Sequence, residues 1–192
     1  MSDRALDRRA VAARLLRERR DALVVTGLGG PAYDVAAAGD TPLNFYLWAA
    51  MGGAAMTGLG VARAQPRRRV VVITGDGEML MGLGSLATVG VERPGNLAIA
   101  VFDNGRYAET GMQASHTEGG VSLCGVARAC GIEAVYDIAD ETGLKEFAAR
   151  LHGFDRTMFA RVAIRADEQK RVLPSRDGVF LKTRFRRAIG AE

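Results

Sequence analysis

The chain predicts an α/β fold, a doubly wound and mostly parallel sheet with helices on both faces. Short apolar runs alternate with longer segments of helical period, which is the pattern of repeated strand–helix–strand units. Two of those runs, Val70-Val71-Val72-Ile73-Thr74 and Leu97-Ala98-Ile99-Ala100-Val101-Phe102, end in Gly75-Asp76-Gly77 and Asp103-Asn104-Gly105. A carboxylate and an amide therefore leave the sheet at strand exits, where an open parallel sheet holds its ligand crevice.

Each element has its own signal. Residues 6–20 place Leu6, Val11 and Leu15 at helical spacing among arginines, so they read as a surface helix. Residues 22–26 read as a short buried strand. Residues 27–41 have little periodicity and read as a loop. Residues 44–64 read as a helix rich in Ala and Gly. Its small residues suit tight packing on its own sheet, or contact with a ligand and a neighbouring subunit. Residues 70–74 form the strand before Gly75. Residues 82–91 read as a helix ended by Arg93-Pro94-Gly95. Then come a strand at 97–102, a helix at 122–130 stopped by Gly131, and a short strand at 133–136. A helix at 141–151 and a strand at 158–164 complete the five-stranded layer. Residues 1–165 read as one domain. Residues 166–192 read as a tail that lies over a neighbour or serves as a lid or interface segment.

Bulk properties narrow the function classes. The 192 residues fit one domain, and 48% apolar content is enough for a core. No apolar run approaches the ~20 residues of a membrane span. The charged N-terminal stretch lacks the apolar segment of a secretory signal, so a cytoplasmic protein with no membrane contact is expected. Cys124 and Cys130 lie six apart on what reads as one helix, on different faces. They read as free thiols rather than metal ligands, and an iron–sulfur cluster needs more thiolates. The net charge of +4 is carried almost wholly by arginines interleaved with acids. No nucleic-acid-binding module is visible. Attraction of an anionic cofactor and an anionic substrate is a better use of the excess.

The string GDGEMLMGLGSLATVGVERPGNLAIAVFDNGRYAETGMQASHT, with NFYLWAAMGGA upstream, resembles the thiamin-diphosphate-dependent enzymes. Within them it is similar to the branch of the sulfopyruvate decarboxylase β subunit and phosphonopyruvate decarboxylase. The resemblance covers roughly residues 20–165. It implies thiamin diphosphate and Mg²⁺ as cofactors, with Asp76, Asn104 and the backbone carbonyl of Arg106 as metal ligands. These are hard oxygen donors of the kind Mg²⁺ prefers. Gly75, Gly77, Glu78 and Tyr107 would join the cofactor site. Glu78 stands where many relatives have a small residue, and Asp103 replaces a usual Asn and adds a charge. The resemblance also implies that Met51 wedges beneath the cofactor while the backbone at Ala49 and Met51 meets its aminopyrimidine.

His116, on a polar segment just past the cofactor loop, is the candidate for proton transfer or substrate contact. Thr110 and Gln113 are its plausible neighbours, and His152 reads as a surface cap. An activating Glu belongs, in this family, to a separate pyrimidine-binding domain, and one short helix is all that precedes the diphosphate-binding part here. The expected partner is therefore an α subunit supplying that Glu, in an α₂β₂ or larger assembly. The expected substrate is a small anionic 2-oxo acid with a sulfonate or phosphonate group, paired with Arg106 or an arginine of the tail.

Other readings stay open or fall. Gly27-Leu28-Gly29-Gly30-Pro31-Ala32 fits a dinucleotide-binding pattern, but residues 44–60 contain no acid to complete it. The hydrolase elbow is absent, because Leu83 stands two residues before Ser85. A carboligase or acetolactate-type synthase subunit, or a non-catalytic cofactor-binding regulatory subunit, remains as an alternative.

Overall fold

A computed structural model of the chain describes residues 5–151 and 153–191. Helix α1 (Arg8–Leu16) starts on Asp7, whose carboxylate accepts from the Ala10 amide and caps the first turn. Then come β1 (Leu23–Thr26), α2 (Gly30–Ala38), β2 (Asn44–Tyr46), α3 (Ala54–Ala64) and β3 (Val70–Gly75). Helices α4 (Asp76–Met81) and α5 (Ser85–Glu92) lead to β4 (Leu97–Asp103). A small antiparallel hairpin, β5 (Arg106–Tyr107) and β6 (Gln113–Ala114), stands apart from the main sheet. The chain continues with α6 (Leu123–Ala129), β7 (Ala134–Ile138), α7 (Glu141–Arg150), β8 (Met158–Ala163) and α8 (Gly178–Ala188).

The main sheet has six parallel strands in the order β2-β1-β3-β4-β8-β7. The first crossover runs to one side of β1 and the next returns to the other side. The switch point therefore lies between the carboxyl ends of β1 and β3. Alternate residues of each strand feed two cores. Val71 and Ile73 join Val11, Leu15, Val35, Leu144 and Phe147 on one face. Val70 and Val72 join Leu59, Leu86, Val89 and Leu123 on the other. Each fully buried side chain of this kind contributes about 1.5–3 kcal/mol.

The fold class is as expected, and three local expectations are corrected. Residues 27–41 are not a loop throughout, because Gly30-Pro31 opens α2. Proline in a first turn lacks only an amide that would have no partner anyway. The helix expected over 44–64 begins only at Ala54. Asn44–Tyr46 instead pairs with β1 as a sixth strand, held by Tyr46 Oη donating to Asp40 at 2.9 Å and accepting from Asn44 at 3.0 Å. Ala49 (φ 57°) and Gly52 (φ 87°) then turn the chain in left-handed conformations that no helix continues. The expected helix over 82–91 is two helices, with α4 starting directly at Asp76.

A Cβ on Gly58 would lie 2.2 Å from Val72 Cγ2. At that position the small residue serves packing of α3 on its own sheet. Cys124 is buried and Cys130 half-buried, both as free thiols.

The segment after β8 runs back over the molecule. Arg165 and Gln169 reach Asp7, and Trp48 Nε1 donates to the Ser175 carbonyl at 2.8 Å. Helix α8 then covers the outer strand β2. Phe185 packs on Phe45 with ring centroids 5.3 Å apart, and Arg184 pairs with Asp40 at 2.6 Å. Covering an edge strand removes a pairing surface. Among the described residues, no helix is long and apolar enough to cross a membrane.

Candidate cofactor site

Strands β3 and β4 are neighbours in register, with Gly75 opposite Phe102. Their exits therefore open side by side. One cleft of about 160 Å³ is lined by Gly75, Asp76, Gly77, Glu78, Asn104, Arg106 and Tyr107, with Leu28 to Pro31 from the end of β1. That is smaller than the ~300–1,000 Å³ of a self-sufficient small-molecule pocket, as expected of a site that a second surface completes.

Asp76 is buried at the first turn of α4. Its Oδ2 accepts from Ser115 Oγ at 2.5 Å and Thr117 Oγ1 at 3.3 Å. Burial raises the carboxyl above its ordinary value; the Ser115 hydroxyl opposes this and the charge of Asp103 adds to it. A bound cation would favour the ionised form. Asn104 Oδ1 accepts from the Arg106 amide at 2.9 Å. That local turn fixes the side chain and leaves a second lone pair on the oxygen.

Asp103 bends the chain in the same way, accepting from the Gly105 amide at 3.0 Å and from Thr117 Oγ1 at 2.7 Å. Its other oxygen accepts from Arg161 Nε at 2.7 Å. The extra charge expected beside the site is thus paired from β8.

The donor chemistry fits Mg²⁺ with a diphosphate. One carboxylate and one amide oxygen share the cleft, and no group of three His, Cys, Asp or Glu side chains stands together among the described residues. Mg²⁺ typically takes one or two protein carboxylates and completes its octahedron with phosphate oxygens and water. The Arg106 side chain pairs with Glu118 at 2.6 Å, so its guanidinium is not the free anion ligand expected.

Glu78 neither meets solvent nor faces the metal donors. It is buried, with Oε2 accepting from Thr74 Oγ1 at 2.5 Å and Oε1 from the Ala54 amide at 3.2 Å. Burial raises this carboxyl too, while hydrogen bonds from Thr74 and the amides of Ala54, Gly52 and Leu28 hold it down. It ties the β1 exit and the 51–54 turn to α4. A Cβ on Gly27 would overlap its carboxylate.

Met51 lies on the turn that Ala49 and Gly52 make, and is 39% exposed. With Gly77 and Tyr107 it lines both the main cleft and a second, apolar cleft of about 460 Å³ that also holds Leu80, Met81, His116 and Val121. A Cβ on Gly77 would sit 2.7 Å from the Tyr107 ring and 3.7 Å from Met51 Cε. These three residues form the partition between the clefts. Ala49 is exposed, with its side chain outside both.

Tyr107 Oη is 3.2 Å from His116 Nδ1. His116 is exposed and lines the second cleft, away from the metal donors. Thr110 lines the main cleft and bonds to Gln113 at 3.0 Å; neither touches His116. His152 lies outside the described residues.

Ser115, Thr117 and Arg161 were not anticipated. The first two carried a signal. On an extended segment, residues 115 and 117 share a side and 116 takes the other, so a hydroxyl–His–hydroxyl triplet was positioned to face two groups at once. Arg161 carried none, because only sheet order brings β8 beside β4.

Residues 30–162 match the family described as thiamine pyrophosphate enzyme, C-terminal TPP binding domain. A phosphonopyruvate decarboxylase from Streptomyces viridochromogenes is 43% identical over 81% of this chain and 39% of its own length. A sulfopyruvate decarboxylase subunit beta from Methanothermobacter thermautotrophicus is 37% identical over 83% of each. A solved structure described as a candidate thiamin diphosphate-dependent enzyme from Mycobacterium smegmatis superposes with a TM-score of 0.71 at 19% identity. It covers 84% of this chain and 32% of that one, a likeness of fold. The chain belongs to the thiamine pyrophosphate enzymes, by their C-terminal TPP-binding domain. Within them its relatives are phosphonopyruvate and sulfopyruvate decarboxylases, and it spans well under half of the former but most of the latter's β subunit.

Proposed function

We propose that the chain is the diphosphate-binding, β-type subunit of a thiamin-diphosphate- and Mg²⁺-dependent 2-oxo acid decarboxylase. The observation that carries this is the convergence of Asp76 and Asn104, from adjacent parallel strands, on one cleft rimmed by Gly75 and Gly77. Asp76, Asn104 and the Arg106 carbonyl would hold Mg²⁺. The glycine backbone lets the diphosphate approach closely. Thiamin diphosphate, when bound, supplies the electron sink that a 2-oxo acid needs to lose CO₂.

The rest falls to the protein. Met51 and Tyr107 wall off the apolar side and limit water there. Glu78 holds the turn that carries Met51. His116, with the Tyr107 hydroxyl on Nδ1, is placed to hold or hand over a proton at the second cleft. The Ala49–Met51 backbone would meet the aminopyrimidine. The small cleft and the β-subunit relatives support an α subunit that supplies the activating Glu and the opposite wall, in an α₂β₂ or larger cytoplasmic assembly. The same relatives favour a substrate such as sulfopyruvate or phosphonopyruvate.

Native mass spectrometry of the tagged full chain, purified from its own host with Mg²⁺ and thiamin diphosphate, tests the assembly. A second subunit and cofactor in equal stoichiometry, with CO₂ release from either substrate, is the expected result. A complex that binds cofactor but releases no CO₂ from any 2-oxo acid points instead to a regulatory subunit. A ligated product points to a carboligase.

A further inference from the structure

The cleft of Asp76 and Asn104 is also lined by Arg8, Gly29, Gly30 and Asp34, none of which the metal site uses. Helix α2 is nine residues long and begins at Gly30 behind Gly29, with no side chain capping its first amides. Such an end attracts anions. Arg8 reaches it from α1. Its side chain is 9% exposed, and its Nη1 would lie 2.7 Å from a Cβ on Gly30, so only glycine admits the guanidinium there.

Arg8 Nε stands 3.3 Å from Asp34 Oδ2. Both atoms are buried, and neither makes a hydrogen bond among the described residues. Asp34 also pairs with Arg9 at 3.4 Å. One carboxylate is thus shared by two guanidiniums, which leaves a formal charge of +1 at the cleft wall. The other arginine lining the cleft, Arg106, is paired with Glu118. A buried cation beside free helix amides suits a phosphoryl group, which guanidinium meets through paired donors.

We propose that Arg8 and the α2 N-terminus form an anion subsite that holds the terminal phosphoryl group of the cofactor's diphosphate. This rests on reading the cleft as the diphosphate site. A substrate phosphonate offers similar chemistry. However, Arg8 does not line the second cleft, where Met51, Tyr107 and His116 meet.

Calorimetry on the full chain, in the complex it forms in its host and with Mg²⁺ present, tests the subsite. The ligands are thiamin diphosphate, thiamin monophosphate and inorganic pyrophosphate. The variants are Arg8→Gln, Arg8→Lys and the double Arg8→Gln/Asp34→Asn, which leaves no lone buried carboxylate and keeps the test valid if the single change does not fold. Loss of a charged hydrogen-bonding partner should weaken diphosphate and pyrophosphate binding about 10- to 100-fold. Monophosphate affinity should move little, and Arg8→Lys should recover part of the loss. Equal losses for mono- and diphosphate overturn the subsite. So does an unchanged diphosphate affinity with a raised KM for phosphonopyruvate, which would give Arg8 to the substrate. If the unaltered complex binds no thiamin diphosphate, the cofactor reading falls and the subsite falls with it. Unchanged binding in every variant removes the subsite alone.

Discussion

The exits of β3 and β4 lie side by side, yet they orient their polar side chains by different means. At β4, Asp103 and Asn104 each accept from a backbone amide two residues on. The sequence builds those turns locally. At β3 the chain passes straight into α4, and Asp76 is oriented by Ser115 and Thr117, 39 and 41 residues away. One donor is held by its own backbone, the other by the tertiary fold. A change at the β4 exit should therefore act locally, whereas the β3 exit should respond to substitutions far from it in sequence.

Asp76→Ala tests the larger side of that contrast. It removes the only carboxylate proposed for the metal and should weaken Mg²⁺-dependent binding of thiamin diphosphate at least ~100-fold, by about 3 kcal/mol or more. Unchanged affinity by calorimetry would sink the metal assignment.

Glu78→Ala should act on stability instead. It strips the Thr74 hydroxyl and the Ala54 amide of their shared acceptor. Unsatisfied buried donors cost about 1–3 kcal/mol each. A drop of about 3 kcal/mol in denaturant unfolding is expected, and a shift below about 0.5 kcal/mol would show that the 51–54 turn holds without it.

Asn104→Ala should weaken cofactor binding on the order of 10-fold by removing one neutral ligand and a local turn. Asn104→Asp keeps the turn acceptor. If the aspartate variant loses as much stability as the alanine one, the local account of this exit is mistaken.

Ser115→Ala sharpens the comparison from a distance. Its loss leaves Asp76 held by Thr117 alone and should cost about 5- to 10-fold in cofactor affinity, with little change in melting temperature. No change in affinity would mean that Asp76 is oriented by its own helix.

The smallest effect per step lies outside both exits. Burial pushes Asp34 up from 3.8 to about 6, against the pull of Arg8 and Arg9. The folded chain then binds this proton more tightly than the unfolded one. The stability from this group is fully present below about pH 4 and is lost as pH rises to about 6, by at most about 1.4 kcal/mol per unit. Asp34→Asn should flatten that slope in unfolding curves taken between pH 4 and 6; an unchanged slope would assign it to another group.

By itself the sequence determined the elements that are strongly periodic or strongly punctuated. The β-branched run before Gly75 and the apolar run before Asp103 had to be buried strands, because both faces of a parallel sheet are covered. The polar residues at their carboxyl ends had to lie at the crevice. Asn104 and its turn were equally local and equally readable.

Tertiary structure decided the features that depend on neighbours remote in sequence. Residues 44–46 became a strand because β1 offered an unpaired edge, although the chain turns helical again from Ala54. Glu78 turned inward because the amides of Leu28, Gly52 and Ala54 converge there once α4 meets the β1 exit. Asp103 lost its isolated charge because strand order sets Arg161 beside it. Arg8 reached the cleft because α1 packs against α2. Each depends on a juxtaposition across tens of residues that no local pattern encodes. A buried charge takes its meaning from the groups that fold around it.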